Sequence, residues 1–237
     1  MTHAQATLSE FQSASRIQQS LTSGLERKAL LWLARRTPAF INSDHLTALG
    51  FAAQIMAGAS YALARWNRYA LIAVIVFIAL NWLGDSLDGT LARVRNQQRP
   101  RYGFYVDHII DTFGSAFLMS GLAISGYLHW KIAVAMLVAF LVLSIETYLA
   151  TYTLGRFRLS HGLFGPTEIR ILLAIGTVRL LFHPEIHLAG HKFLLFDFGG
   201  IIAALGMTTM AVLAAIRHTV ELYREEPLRE IRIPASR

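Results

Sequence analysis

Six apolar segments, at approximately residues 45–64, 69–94, 103–127, 130–154, 166–183 and 196–217, leave this chain few folds to choose from. Each approaches the roughly 20 residues needed to cross a bilayer as an α-helix. Inside lipid, backbone N–H and C=O groups must bond within their own segment, so segments of this kind build a helical bundle. A hydrophobic fraction of 54% and a mean hydropathy of +0.43 point the same way, since both exceed ordinary soluble values. The expected class is an all-α integral membrane protein with six transmembrane helices. The junctions carry breakers and charges, including Arg65-Trp66-Asn67-Arg68, Gln97 to Arg101, His129-Trp130-Lys131 and Pro184 to Gly190. Such short connections make neighbouring helices antiparallel, and no internal repeat is visible.

Ahead of the first span, Leu25 to Arg36 mixes apolar and basic residues over about three turns, which suits an amphipathic helix lying in the membrane interface and ended by Pro38. Residues 1–24 are rich in Ser, Gln and Thr and are expected to be mobile. The chain is thus expected to divide into a cytosolic N-terminal segment (1–44), a six-helix transmembrane domain (45–218) and a cytosolic tail (219–237). If both termini share one side, that side receives seventeen of the 22 Lys and Arg residues. The excess of positive charge inside then places both termini in the cytoplasm. The net charge of +7 does not imply nucleic acid, because the basic residues are spread between apolar runs. Anionic headgroups and phosphates are the expected partners.

One stretch breaks the apolar pattern: Asp85-Ser86-Leu87-Asp88-Gly89-Thr90-Leu91-Ala92-Arg93, continuing through Gly103 to Asp107 and Asp111. Ionisable groups at membrane depth are costly unless they pair, face a wet cavity or bind something. Asp85, Asp88 and Ala92 are spaced i, i+3, i+7 and share one helical face, while Asp107 and Asp111 share another. The two faces can meet just below the cytosolic surface. Four carboxylates in a partly dry site repel by several kcal/mol per pair, and two divalent cations would cancel them. With no cysteine in the chain, oxygen ligands favour a hard ion such as Mg²⁺ or Mn²⁺, which also binds phosphate. A pair of such ions can bridge a pyrophosphate. Gly89, Ala92 and Gly103 leave the helix faces bare for a bulky ligand, and Arg93 supplies a permanent cation for a phosphoryl oxygen.

The order Asp85-x2-Asp88-Gly89-x2-Ala92-Arg93-x9-Gly103-x3-Asp107-x3-Asp111 resembles the signature of the CDP-alcohol phosphotransferase family, with all eight fixed positions present. The resemblance implies transfer of a substituted phosphate from a CDP-linked donor to an alcohol hydroxyl, with release of CMP, in phospholipid biosynthesis. It implies that Asp85, Asp88, Asp107 and Asp111 ligate two metals, with Asp111 also the base for the acceptor hydroxyl. Gly89, Ala92, Arg93 and Gly103, with Asp85 and Asp107, would shape the nucleotide and pyrophosphate site. A homodimer is implied as well. The family tends to carry a Pro-Asn-x-Leu-Thr-like element before its first span; here Ser43-Asp44-His45-Leu46-Thr47 keeps Thr47, with Asp44 in the Asn position. Asp44 is equally readable as the N-cap of the first span.

A second stretch, Glu146-Thr147-Tyr148 followed by Gly155 to Arg158 and Gly165 to Arg170, loosely resembles the choline and ethanolamine phosphotransferase branch. That likeness implies a CDP-linked small alcohol as donor and a diacylglycerol-like acceptor, with Glu146 and Glu168 facing an ammonium headgroup. Glu168 also suits the first turn after Pro166, where its charge complements the helix dipole. The alternative donor is CDP-diacylglycerol with a polar acceptor such as glycerol phosphate or inositol phosphate, for which Arg156 and Arg158, with Arg99 and Arg101, would form a basic pocket. Those arginines equally fit contacts to anionic headgroups. A different class, a divalent-cation transporter, would use the same carboxylates without nucleotide. The spacing of His183, His187 and His191 is interrupted by Pro184 and Gly190 and reads as a loop on the far side.

Overall fold

The computed structural model describes residues 15–17, 23–158, 166–188 and 190–228. Seven α-helices run through these residues: α1 (Ser23–Arg36), α2 (Ser43–Ala64), α3 (Ala70–Val94), α4 (Pro100–Ser125), α5 (Trp130–Leu154), α6 (Pro166–Phe182) and α7 (Leu195–Glu225). Five of them, α2 to α5 and α7, are long and apolar enough to cross a membrane. At 17 residues, α6 is a shorter sixth, spanning about 26 Å at 1.5 Å per residue. Short strands add what apolar periodicity does not reveal. β1 (Ser15–Ile17) pairs in parallel with β2 (Arg156–Arg158), and β3 (Glu185–Leu188) forms an antiparallel hairpin with β4 (His191–Leu194).

Local chemistry sets the helix ends. Asn42 caps α2: its Oδ1 accepts from His45 N at 2.9 Å, while His45 Nδ1 accepts from Asn42 N at 3.3 Å, a reciprocal box that satisfies two orphan donors. The N-cap is therefore not Asp44, whose carboxylate pairs instead with Arg99 at the start of α4. Pro100 opens α4, where its missing N–H costs nothing. Gly126 (φ +81°) and Gly155 (φ +64°) end α4 and α5 in the left-handed conformation. The last helix continues past residue 218 to Glu225, and the segment expected to be mobile contains β1; residues 1–14 and 18–22 lie outside the described residues.

Lipid supplies no hydrophobic drive between helices, so close backbone packing must hold the bundle. α2 supplies it on two sides. A Cβ on Gly84 of α3 would stand 2.6 Å from Gly50 N and Leu46 O, and one on Gly58 of α2 would stand 2.6 Å from the Phe117 carbonyl of α4. These crossings bring α2, α3 and α4 together, and a core of Ala57, Tyr61, Leu71, Val74 and Leu122 fills the space beyond. There the buried Tyr61 hydroxyl meets Thr177 Oγ1 of α6 at 2.5 Å. α1 lies across the other end, with Leu30 and Ala34 packed on Leu46, Leu87 and Leu91. Arg95 ties down its exit by donating to the carbonyls of Ile41 at 2.5 Å and Thr37 at 2.8 Å.

The outer faces are apolar. Val134, Val138, Val142, Ile145 and Leu149 form an exposed stripe on α5, and Ile201, Ile202, Leu205, Val212, Leu213 and Ile216 do so on α7. Exposed Trp66, Tyr69 and Trp130 sit at helix ends beside Arg65, Arg68 and Lys131, the arrangement of an interfacial aromatic belt. Both features belong to an integral membrane protein.

Because the Gly84 crossing is backbone against backbone, Gly84→Ala is expected to overpack it and cost about 1–3 kcal/mol. Gly206 of α7 has nothing within 4 Å of its added Cβ. Gly206→Ala should be neutral or stabilising by up to ~1 kcal/mol through helix propensity. Thermal unfolding of the two variants in detergent micelles measures the contrast.

Candidate active site

Three helices place polar side chains around one narrow cavity. α3 contributes Asn81, Asp85 and Asp88; α4 contributes Asp107, Ile110 and Asp111; α2 contributes Thr47, Gly50, Phe51 and Gln54. The spacings explain this. Residues 47, 50, 51 and 54 lie on one face of α2, 81, 85 and 88 on one face of α3, and 107, 110 and 111 on one face of α4. The glycine crossings then turn the three faces toward each other. All four signature carboxylates thus line the same space.

Each helix also fixes its neighbour's side chains. The Thr47 hydroxyl lies 2.6 Å from Asp88 Oδ2, so α2 donates to a carboxylate of α3, and the other oxygen of Asp88 accepts from the Gly89 N–H. Asn81 donates Nδ2 to the Gly50 carbonyl at 3.0 Å and accepts Arg170 Nε at 2.8 Å. Arg170 Nη2 reaches Asp85 Oδ2 at 2.6 Å. On α4, Asp107 stands 3.7 Å from His108 Nδ1, and the His108 ring stacks on Phe104 and meets Tyr148 edge-on. An aromatic wall therefore closes the α4–α5 side of the site.

The donor set suits a hard cation. Four carboxylates and the Arg170 guanidinium meet at this cavity, and its other polar side chains, Thr47, Gln54 and Asn81, each carry an oxygen. Gln54 Oε1 is buried there without a hydrogen-bond partner among the described residues. A buried acceptor calls for a partner, and a cation held beside it by the carboxylates would supply one. In this side-chain arrangement no three His, Asp or Glu residues among those described close into a ready-made metal cluster. The carboxylates are grouped by cavity rather than drawn to one point.

The other expected site residues fall into three groups. Gly89, Ala92 and Arg93 continue α3 beyond the cavity toward its C-terminal end, where Arg93 Nη2 donates to Thr90 Oγ1 at 3.0 Å and the side chain folds back along Gly89. Gly103, in the first turn of α4, has open space around it. Glu146 does not line the cavity; its Oε1 is held by His218 Nδ1 of α7 at 2.5 Å. Glu168 is buried at the start of α6, and Arg156 and Arg158 contribute their backbone to β2 immediately after α5. His183 and the β3–β4 hairpin lie apart from the carboxylates.

Asn81, Gln54 and Arg170 were not anticipated as site residues. The first two had a legible signal, since each is a polar residue inside an apolar segment and on the same helical face as a recognised one. Arg170, a charged residue inside the apolar segment 166–183, was conspicuous too, but nothing in the spacing named a partner 85 residues away.

The chain is similar to known proteins over much of its length. The sequence model of the CDP-alcohol phosphatidyltransferase family matches residues 40–219. The archaetidylinositol phosphate synthase of Pyrococcus horikoshii is 30% identical over 120 residues, which is 51% of this chain and 57% of that protein. The match thus spans little more than half the length of that curated relative. The crystal structure of the Mycobacterium tuberculosis phosphatidylinositol phosphate synthase with CDP-DAG bound superposes with a TM-score of 0.50, covering 89% of this chain and 100% of that one at 19% identity. That likeness is one of fold.

Asn81 bridges Gly50 and Arg170, so Asn81→Leu removes the extra donor from the Gly50 carbonyl and leaves the Arg170 Nε–H without its acceptor. The expected loss is about 1–3 kcal/mol of stability, read as a lower unfolding temperature in micelles.

Proposed function

Because the chain belongs to the CDP-alcohol phosphatidyltransferase family, we propose that it moves a substituted phosphate from a CDP-linked lipid to the hydroxyl of a polar acceptor and releases CMP. The observation that carries this reading is the gathering of Asp85, Asp88, Asp107 and Asp111 from two helices onto one cavity inside the matched region. Asp85, Asp88, Asp107 and Asp111 would hold two divalent cations, Mg²⁺ or Mn²⁺, which would supply positive charge to the pyrophosphate and to the departing CMP.

The protein's own groups supply the rest. Thr47 orients Asp88 through the 2.6 Å hydrogen bond, and Arg170 orients Asp85. Asp111 takes the proton of the acceptor hydroxyl as its oxygen attacks phosphorus; the new O–P bond forms as the P–O bond to CMP breaks. Gly89, Ala92 and Gly103 leave room for the nucleotide beside Arg93, which pairs with a phosphoryl oxygen, and Asp85 and Asp107 border it. Holding donor and acceptor in line is the larger part of the rate gain for such a transfer.

For the substrates, the support favours CDP-diacylglycerol with a phosphorylated polyol over a CDP-choline-like donor with diacylglycerol. The relative in Pyrococcus horikoshii is named for making archaetidylinositol phosphate, and the Mycobacterium tuberculosis neighbour carries CDP-DAG. Glu146, expected to face an ammonium headgroup, is engaged by His218 instead. Arg156 and Arg158, at the end of α5, would bind the acceptor phosphate, and Glu168 and Thr47 would complete the pocket. The same reading puts both termini and the site on the cytoplasmic side, makes residues 45–218 the catalytic domain, and makes a homodimer the working unit.

The test is CMP release by purified protein in mixed micelles. CDP-diacylglycerol with inositol phosphate or glycerol phosphate should give CMP and a lipid product, with activity lost on EDTA treatment and restored by Mn²⁺. Asp111→Asn should lower kcat by about 10²–10⁴-fold. Full activity in Asp111→Asn would remove the assigned base, and CMP from CDP-choline with diacylglycerol alone would reverse the substrate assignment. Nucleotide-independent Mn²⁺ flux into proteoliposomes, with no CMP formed, would favour a transporter.

A further inference from the structure

The first turn of α6 is docked on α3 by two polar clasps set side by side. In the inner one, Arg170 grips Asn81 at 2.8 Å and Asp85 at 2.6 Å. In the outer one, Thr167, one turn earlier on α6, donates its hydroxyl to Glu26 Oε1 at 2.8 Å. That same oxygen accepts Trp82 Nε1 at 3.0 Å and Ser86 Oγ at 3.3 Å. Trp82 and Ser86 are the residues directly following Asn81 and Asp85, so both clasps use adjacent i, i+4 pairs of α3. Glu26 comes from α1, outside the six-helix bundle and outside the family match at residues 40–219.

We propose that Glu26 is a positioning residue for the phosphotransfer: by holding Thr167 against Trp82 and Ser86, it sets the register in which Arg170 meets Asp85. This rests on the phosphotransferase reading and deepens it.

The chemistry supports that role in three ways. Three donors from two helices converge on a single carboxylate oxygen, and charge-assisted bonds of this kind are roughly twice as strong as neutral ones. Glu26 Oε2 is buried with no partner among the described residues, a desolvation cost that a purely packing contact would avoid. The charge also sits in the first turn of α1, where the helix dipole favours it.

The consequence reaches the metal site through Asp85. Arg170 engages Oδ2, which restrains the carboxylate and would leave Oδ1 for a cation. Losing the outer hydrogen-bond partner of a ligand typically costs 10–100-fold in metal affinity or activity. α1 has its own apolar seat through Leu30 and Ala34 and its own tether through Arg95, so loosening the Glu26 clasp shifts α6 without releasing α1.

The experiment compares Thr167→Val, Thr167→Ser, Glu26→Leu and Glu26→Gln with the wild type. Free Mn²⁺ is titrated by EPR without substrate, and CMP release is followed against Mn²⁺ and CDP-diacylglycerol. Thr167→Val and Glu26→Leu should each weaken Mn²⁺ binding by roughly tenfold and raise the half-saturating Mn²⁺ for CMP release in parallel, with KM for the donor changed by less than about twofold. Thr167→Ser keeps the hydroxyl and should bind Mn²⁺ as the wild type does, while Glu26→Gln keeps the acceptor oxygen but loses the charge and should fall between the wild type and Glu26→Leu. A lower unfolding temperature with unchanged Mn²⁺ titration would overturn the proposal, since a merely structural contact behaves that way. So would a wild-type protein that binds no Mn²⁺. If Glu26→Leu does not fold, Thr167→Val, which keeps the side-chain shape, decides the matter. A shifted Mn²⁺ affinity in a protein that releases no CMP would sink the phosphotransferase reading and leave the clasp standing; CMP release with no shift would do the reverse.

Discussion

Backbone contact between α2 and its two neighbours is the constraint on which the rest of this structure depends. Gly50 meets Gly84, and Gly58 meets the α4 backbone around Phe117, at distances where even one methyl group does not fit. In lipid, where apolar side chains gain nothing by leaving their surroundings, such contact is what brings helices together. Here it has a chemical result as well. With α2 against both α3 and α4, three polar faces that would each be costly in hydrocarbon are turned toward one another and become the walls of a site.

The charges follow from that closeness. Asp85 and Asp88 are half-buried, and they are held by Arg170 of α6 and Thr47 of α2. The same logic operates away from the site. Glu146 is met by His218, and Asp197 at the start of α7 accepts from the His129 backbone N–H at 2.7 Å, joining α5 and α7 at two levels. Asp85, Asp88, Glu146 and Asp197 thus each have a partner from another helix or its cap, and polar groups that would oppose burial act as fasteners. Glu26 carries this principle outward, tying the interfacial helix to the two elements that grip Asp85.

Much of the architecture was legible in advance. Five of the six apolar segments match α2 to α6 within about three residues, the sixth finds the start of α7 but not its end at Glu225, and the basic-apolar run from Leu25 to Arg36 is α1. Both readings rest on hydropathy and periodicity, which are local. Misreadings arose where a residue had more than one use. Asp44 looks like an N-cap, but Asn42 precedes the first turn and can reach His45, which leaves Asp44 free for Arg99. Ser15 to Ile17 has no strand signal of its own; it is a strand because Arg156 to Arg158 offers an edge. Glu146 reads as a headgroup contact from its neighbours in sequence, whereas its neighbour in space is His218.

The sequence by itself determined that this is a helical membrane protein and that Asp85, Asp88, Asp107 and Asp111 fall on two faces able to share a ligand, because spacing along a helix fixes direction within it. Tertiary structure decided what surrounds those faces. It brought Thr47 and Gln54 in from α2, aimed Arg170 at Asp85 across 85 residues, and placed Glu26 against Thr167 across 141. The physical reason is that hydrogen bonds reach only about 3 Å. No spacing rule carries that far along the chain, so these partners exist only once the glycine crossings have set how closely the helices approach.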